Sequence, residues 1–151
     1  MTPYLISLSY WLHALATVVF IGYFVLLAGL YLPVLSKDGP ALSEISKRSR
    51  PWMYVSLVIF MITGIYLTII DPNYQGLGNF GNFWAVMMLI KHILIVAMIG
   101  LGFFYNAILR VGPLMSSNHP EPAIARFRNY VNMMAICGVL VLLLTALAQA
   151  R

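Results

Sequence analysis

The sequence predicts an all-α fold, an integral membrane four-helix bundle with both termini extracytoplasmic, and three observations lead there. Four apolar segments each reach the roughly 20 helical residues that a hydrocarbon core demands. The chain of 151 residues is 62% hydrophobic and only 9% charged, whereas a soluble domain carries roughly a quarter charged residues. Polar groups are therefore too few to cover a water-facing surface. Finally, the basic residues gather beside the apolar segments, where they act as topology signals and contacts for anionic headgroups.

The spans follow in order. The first runs from about Tyr4 to Leu35, the second from about Trp52 to Ile70, the third from about Phe83 to Leu109 and the fourth from about Tyr130 to Ala148. No stretch alternates with period two, so a closed barrel is excluded, and helices satisfy their own backbone groups as lipid requires. The first and third are longer than a perpendicular crossing needs, which implies tilt or protrusion. The opening stretch MTPYLISLSYWLHAL lacks a basic leader and its apolar run is too long for a signal peptide. The first helix is thus expected to remain in place, and residues 1–151 to form one transmembrane domain.

The connections are short. SKDGPALSEISKRSRP is polar, with Gly39-Pro40 and Pro51 expected as breakers. DPNYQGLGNFGN is rich in Gly and Asn, and VGPLMSSNHPEPAIARFR carries Pro113, Pro120 and Pro122. Lys37, Lys47, Arg48 and Arg50 lie in the first connection, and Arg110, Arg126 and Arg128 in or beside the third. Those two connections hold seven of the nine basic residues, so they belong in the cytoplasm. Tyr4, Tyr10, Trp11, Phe80, Phe83 and Trp84 are expected to mark the outer interface, and Trp52, Tyr54 and Tyr130 the inner one.

Composition excludes several functions. The net charge of +5 forms no basic stripe with interleaved aromatics, so no nucleic-acid partner is expected. There is no nucleotide-binding loop, no Ser-His-Asp set and no Asp or Glu within a span, which argues against hydrolases and proton-driven pumps. Cys137 is alone and sits in an apolar run as a small packing residue. Among the methionines, Met87-Met88 and Met133-Met134 invite a copper reading through soft thioether ligands. Adjacent residues diverge on a helix, so filler is the plainer assignment.

Three titratable side chains within the spans stand out: His13, Lys91 and His92. A central Lys costs about 2.5–3.5 kcal/mol to insert, so ionisable groups there call for a functional account. His13 and His92 each lie about nine residues into helices that enter from the same face, or roughly 13 Å at the helical rise. Two imidazoles at one depth on parallel helices match the axial ligands of one b-type haem. The plainer alternative is interhelical hydrogen bonding at about 0.6 kcal/mol. Ala16, Thr17, Gly22, Gly64, Gly100 and Gly102 offer room for a flat group, although small residues also serve simple helix packing. Lys91 points about 100° away from His92. It is expected to snorkel, to meet a haem propionate, or to replace His92 as the functional residue. Asn106, Tyr105, Arg110, Asn132, Thr63 and Ser56 form a second candidate group of interhelical hydrogen-bonding residues, and His119 is expected in a solvated loop.

The first helix YWLHALATVVFIGYFVLLAGLYLPVL, the TGIYL of the second, and Lys91, Asn106 and Arg110 of the third resemble the copper-resistance protein D (CopD) family. That family is related to the HemJ-type protoporphyrinogen oxidases. The resemblance covers most of the chain and implies a multi-pass bundle in a bacterial inner membrane. It also implies functional roles for His13 and Lys91, with haem b in the HemJ-like branch and copper movement in the other. His92 beside Lys91 departs from that pattern and favours two His ligands. The expected function is therefore electron transfer through one haem b, held by His13 and His92 with Lys91 close by. Quinone or other membrane subunits are the expected partners. A HemJ-like quinone-linked oxidoreductase, a copper transport or resistance protein with copper as cofactor, and a cofactor-free membrane subunit are the alternatives.

Overall fold

A computed structural model of the chain describes residues 3–35, 38–76, 81–105 and 121–150. These are helical apart from short connections, with no strand among them. Helix α1 (Pro3–Leu26) passes through a π-helical turn at Leu27–Tyr31 into the short α2 (Leu32–Leu35). Then come α3 (Gly39–Ile70), α4 (Phe83–Tyr105) and α5 (Glu121–Gln149). Among the described residues, four helical rods are long and apolar enough to cross a membrane. Large apolar side chains such as Val34, Val58, Ile62 and Ile136 lie on the outside, where lipid is their natural solvent.

Local chemistry sets the boundaries. Pro33 has no N–H to return to the Gly29 carbonyl, and just before it the ladder shifts, with Leu32 donating to the Leu27 carbonyl five residues back. Beyond Ile70 the Asp71 side chain accepts from the Asn73 backbone N–H at 2.9 Å and from the Asn73 amide at 3.1 Å. Asn82 opens α4 by accepting from the Ala85 N–H at 2.6 Å, and its amide reaches back to the Asn73 carbonyl at 3.1 Å. In the same connection Gly76 takes φ 97°, a conformation that costs only glycine little.

The first connection is not a loop. The second rod begins at Gly39 instead of near Trp52, because Asp38 accepts from the Ala41 N–H at 2.9 Å and caps the helix. Pro40 then falls in the first turn, where no N–H is required, so Gly39-Pro40 starts the helix. Pro51 lies inside α3 and does not end it. Leu42, Ser46 and Met53 bury one stripe of this stretch while Glu44, Lys47 and Arg48 stay exposed, the pattern of an amphipathic helix at a polar boundary. The fourth rod likewise starts earlier than expected, at Glu121, with Pro122 in its first turn. Lys37, Phe80, Asn106, Arg110, Pro113, His119 and Pro120 lie outside the described residues, as does the expected end of the third span at Leu109.

The rods pack unevenly. α1 lies against both α3 and α5, and α4 lies against α5. No comparable contact joins α1 to α4 or α3 to α4. Among the described glycines the tightest surroundings are at Gly138, where an added Cβ would meet Ile21 Cγ2 at 2.7 Å. Small residues at such crossings let backbones close in where lipid offers no hydrophobic drive. Phe20, Phe24, Phe60 and Phe127 form the apolar centre. Tyr130, expected at the interface, is instead buried and meets Phe24 edge-on at 5.9 Å. Trp84 also turns inward, onto Ala85 and Ala148. Tyr4, Tyr10, Trp11, Trp52 and Tyr54 remain exposed, as interfacial aromatics should be.

Candidate functional site

The gap left between α4 and its neighbours contains a cavity of about 420 Å³ that all four rods line. Tyr10, Asp71, Trp84 and Gln149 stand around it where four helix ends meet. The N-termini of α1 and α4 and the C-termini of α3 and α5 therefore share one end of the bundle. Further in, the walls are apolar, from Val18 and Phe60 to Ile95 and Val141.

His13 and His92 both line this cavity, one from each of two helices that do not pack closely on each other. Their expected parallel placement thus corresponds to a shared void. On α4 the cavity face is Trp84, Met88, Lys91, His92, Ile95 and Val96, with spacings of 4, 3, 1, 3 and 1. The wall is wide enough to take both Lys91 and His92, so their 100° separation does not divide them between faces.

The surroundings of His13 come chiefly from α3. Its ring stacks on Phe60 with centroids 4.8 Å apart and planes inclined by 18°. Its Nδ1 lies 2.9 Å from Thr63 Oγ1. A Cβ on residue 64 would stand 3.1 Å from its Cε1, closer than ordinary van der Waals contact. Gly64 therefore makes room for the imidazole itself. By contrast, an added Cβ at Gly22 or Gly100 would meet nothing within 4 Å, and at Gly102 only the Tyr130 hydroxyl at 3.6 Å. Those glycines carry no comparable clearance. Ala16 is buried in the apolar centre, whereas Thr17 lines the cavity and donates to the His13 carbonyl at 2.7 Å.

His92 is held within its own helix. Its Nδ1 lies 2.6 Å from the Met88 carbonyl oxygen, which has no proton, so Nδ1–H is the donor and Nε2 keeps its lone pair. Lys91 is partly buried and lines the same cavity as His13. Among the described residues it has no salt-bridge partner. No family, characterised protein or solved structure matches this chain. The site stands on its own geometry.

Other candidates separate from this cavity. Thr63 lies beside His13, while Asn106 and Arg110, with which it was grouped by sequence, lie outside the described residues. Ser56 turns back to the Met53 carbonyl at 3.0 Å, and Asn132 is exposed. Met134 is buried while Met133 faces outward, and Cys137 borders the apolar centre. No three His, Cys, Asp or Glu side chains converge among the described residues. Sequence reasoning passed over Phe60, although Phe60, Thr63 and Gly64 fall at i, i+3 and i+4 on one helical face, a spacing that flags a shared seat. It also missed Asp71 and Gln149 at the polar end of the cavity.

Proposed function

We propose that this protein is a membrane-embedded b-type haem protein that transfers single electrons, in which His13 and His92 would hold one haem. The observation that carries the reading is that two imidazoles from different helices line a single cavity of about 420 Å³ with largely apolar walls. The residues fit the group: neutral imidazole nitrogens are common haem ligands, and apolar walls control solvent access and potential. Lys91, on the same wall without a salt-bridge partner among the described residues, suits a propionate carboxylate. When bound, such a haem supplies reversible one-electron chemistry at its iron. The chain's own side chains would orient the ligand nitrogens, exclude water and neutralise the carboxylate.

The resemblance to the CopD and HemJ-type proteins supports a place in a bacterial inner membrane and a quinone or neighbouring subunit as electron partner. The basic residues of α3 and the start of α5, Lys47, Arg48, Arg50, Arg126 and Arg128, support a cytoplasmic location for that end. Both termini and the cavity's polar end then face the opposite side. A second reading has one observation in its favour. Met88 lines the same cavity as His13 and His92, and two imidazoles with a thioether suit copper.

The test is the reduced-minus-oxidised optical spectrum of the protein purified in detergent, with metal analysis alongside. A b-type haem spectrum at about one haem per chain, lost or altered in His13→Ala and in His92→Ala, is expected. Stoichiometric copper without haem would replace this reading with the second. A chain that binds neither group would remove both.

A further inference from the structure

Proton placement around Thr63 has a definite consequence for His13. Thr63 Oγ1 lies 2.6 Å from the Ile59 carbonyl oxygen and 3.4 Å from that of Phe60. Carbonyl oxygens carry no proton, and two oxygens approach to 2.6 Å only with a hydrogen between them. The single hydroxyl proton of Thr63 is therefore spent on its own helix, and the face it turns to His13 is a lone pair. The 2.9 Å contact between His13 Nδ1 and Thr63 Oγ1 must then carry its proton on the imidazole. Neutral His13 is protonated at Nδ1, and Nε2 is left with the lone pair.

We propose that Thr63 is a positioning residue which, with Phe60 and Gly64, sets the tautomer and orientation of His13 so that Nε2 is its coordinating atom. The three side chains fix different degrees of freedom. Stacking on Phe60 sets the ring plane, the hydroxyl accepts the Nδ1 proton with the Phe60 backbone carbonyl as a further acceptor at the ring, and the missing Cβ of Gly64 provides clearance for Cε1. His92 reaches the same state by another route, through the Met88 carbonyl on its own helix. Both imidazoles lining the cavity thus keep Nε2 for a ligand, with Nδ1–H anchored in the protein. Ligating histidines are commonly prepared in this way, their other N–H held by an outer partner. As a statement about coordination this rests on the haem reading. As a statement about the tautomer it does not.

Nitrogen NMR of protein labelled with ¹⁵N-histidine and reconstituted in nanodiscs without haem reads the tautomer directly. The His13 signals are assigned by their absence from His13→Asn. Wild type and Thr63→Ser are expected to show His13 protonated at Nδ1. Because the Phe60 backbone carbonyl remains as an acceptor at the ring, the near-isosteric Thr63→Val should move the proton to Nε2 in part. Wild-type His13 protonated at Nε2, or a tautomer indifferent to Thr63→Val, would overturn the proposal. Haem titration of the same three proteins gives the second readout. Losing an outer partner costs about 10- to 100-fold in metal affinity, so Thr63→Val should bind haem at least about tenfold more weakly, and Thr63→Ser should restore binding. If haem binds equally to all three, the positioning role falls while the haem reading stands. If none binds haem while the tautomer follows Thr63, the haem reading falls and the tautomer assignment holds.

Discussion

At His13, three neighbours on one face of α3 decide where a ring that lipid would otherwise disfavour can rest. Gly64 is the most sensitive of them. A Cβ there would stand 3.1 Å from His13 Cε1, and overpacking of this kind costs about 1–3 kcal/mol. Gly64→Ala is expected to weaken haem binding while leaving helical content by circular dichroism unchanged. Gly22→Ala, whose Cβ would enter open space, is expected to be silent. Equal haem retention in the two variants would contradict the role given to Gly64. His13, Lys91 and His92 were legible in the sequence because ionisable groups in an apolar span are rare and costly. Thr63 and Phe60 were not, because a threonine or phenylalanine in a membrane helix is ordinary until its partner across the interface is known. Only the contact between α1 and α3 gives those residues a role.

Among the elements, α3 is the one whose extent the sequence misjudged most, ahead of the early start of α5. The existence of four apolar rods followed directly from run length, but the start of α3 turns on capping. Gly39-Pro40 reads as a breaker in isolation, and becomes a helix start only once the Asp38 carboxylate accepts the Ala41 N–H. Removal of such a cap costs about 0.5–2 kcal/mol. Asp38→Ala is therefore expected to speed amide hydrogen exchange over residues 39–46 and leave exchange around Phe60 and Thr63 unchanged. Uniform protection in both regions would show that the cap does not hold this end. The extension matters beyond its own length, because Ser49 donates to the Tyr23 hydroxyl at 2.9 Å and ties the polar stretch back onto α1. Tyr130 and Trp84 were misplaced for a related reason. An aromatic near a span end suits the interface by position alone, and packing against Phe24 or Ala148 decides otherwise.

For the whole molecule, the asymmetry of charge and the asymmetry of packing point the same way. Lys47, Arg48, Arg126 and Arg128 are exposed at one end, and the cavity's polar residues Tyr10, Asp71 and Gln149 gather at the other. In a Cys137→Ala background, Asn73→Cys is expected to react with an impermeant maleimide added to intact cells. Glu44→Cys is expected to react only after the membrane is opened. The reverse pattern would invert the topology and place the cavity's polar end in the cytoplasm. The uneven packing of the rods, with α4 set chiefly against α5, leaves the two His-bearing helices joined through a void. Whether one iron spans that void is read most directly by electron paramagnetic resonance of the oxidised, haem-loaded protein. A low-spin ferric signal of two imidazoles is expected in wild type, converting to high spin in both His13→Ala and His92→Ala. A low-spin signal that survives either substitution would contradict coordination by this pair.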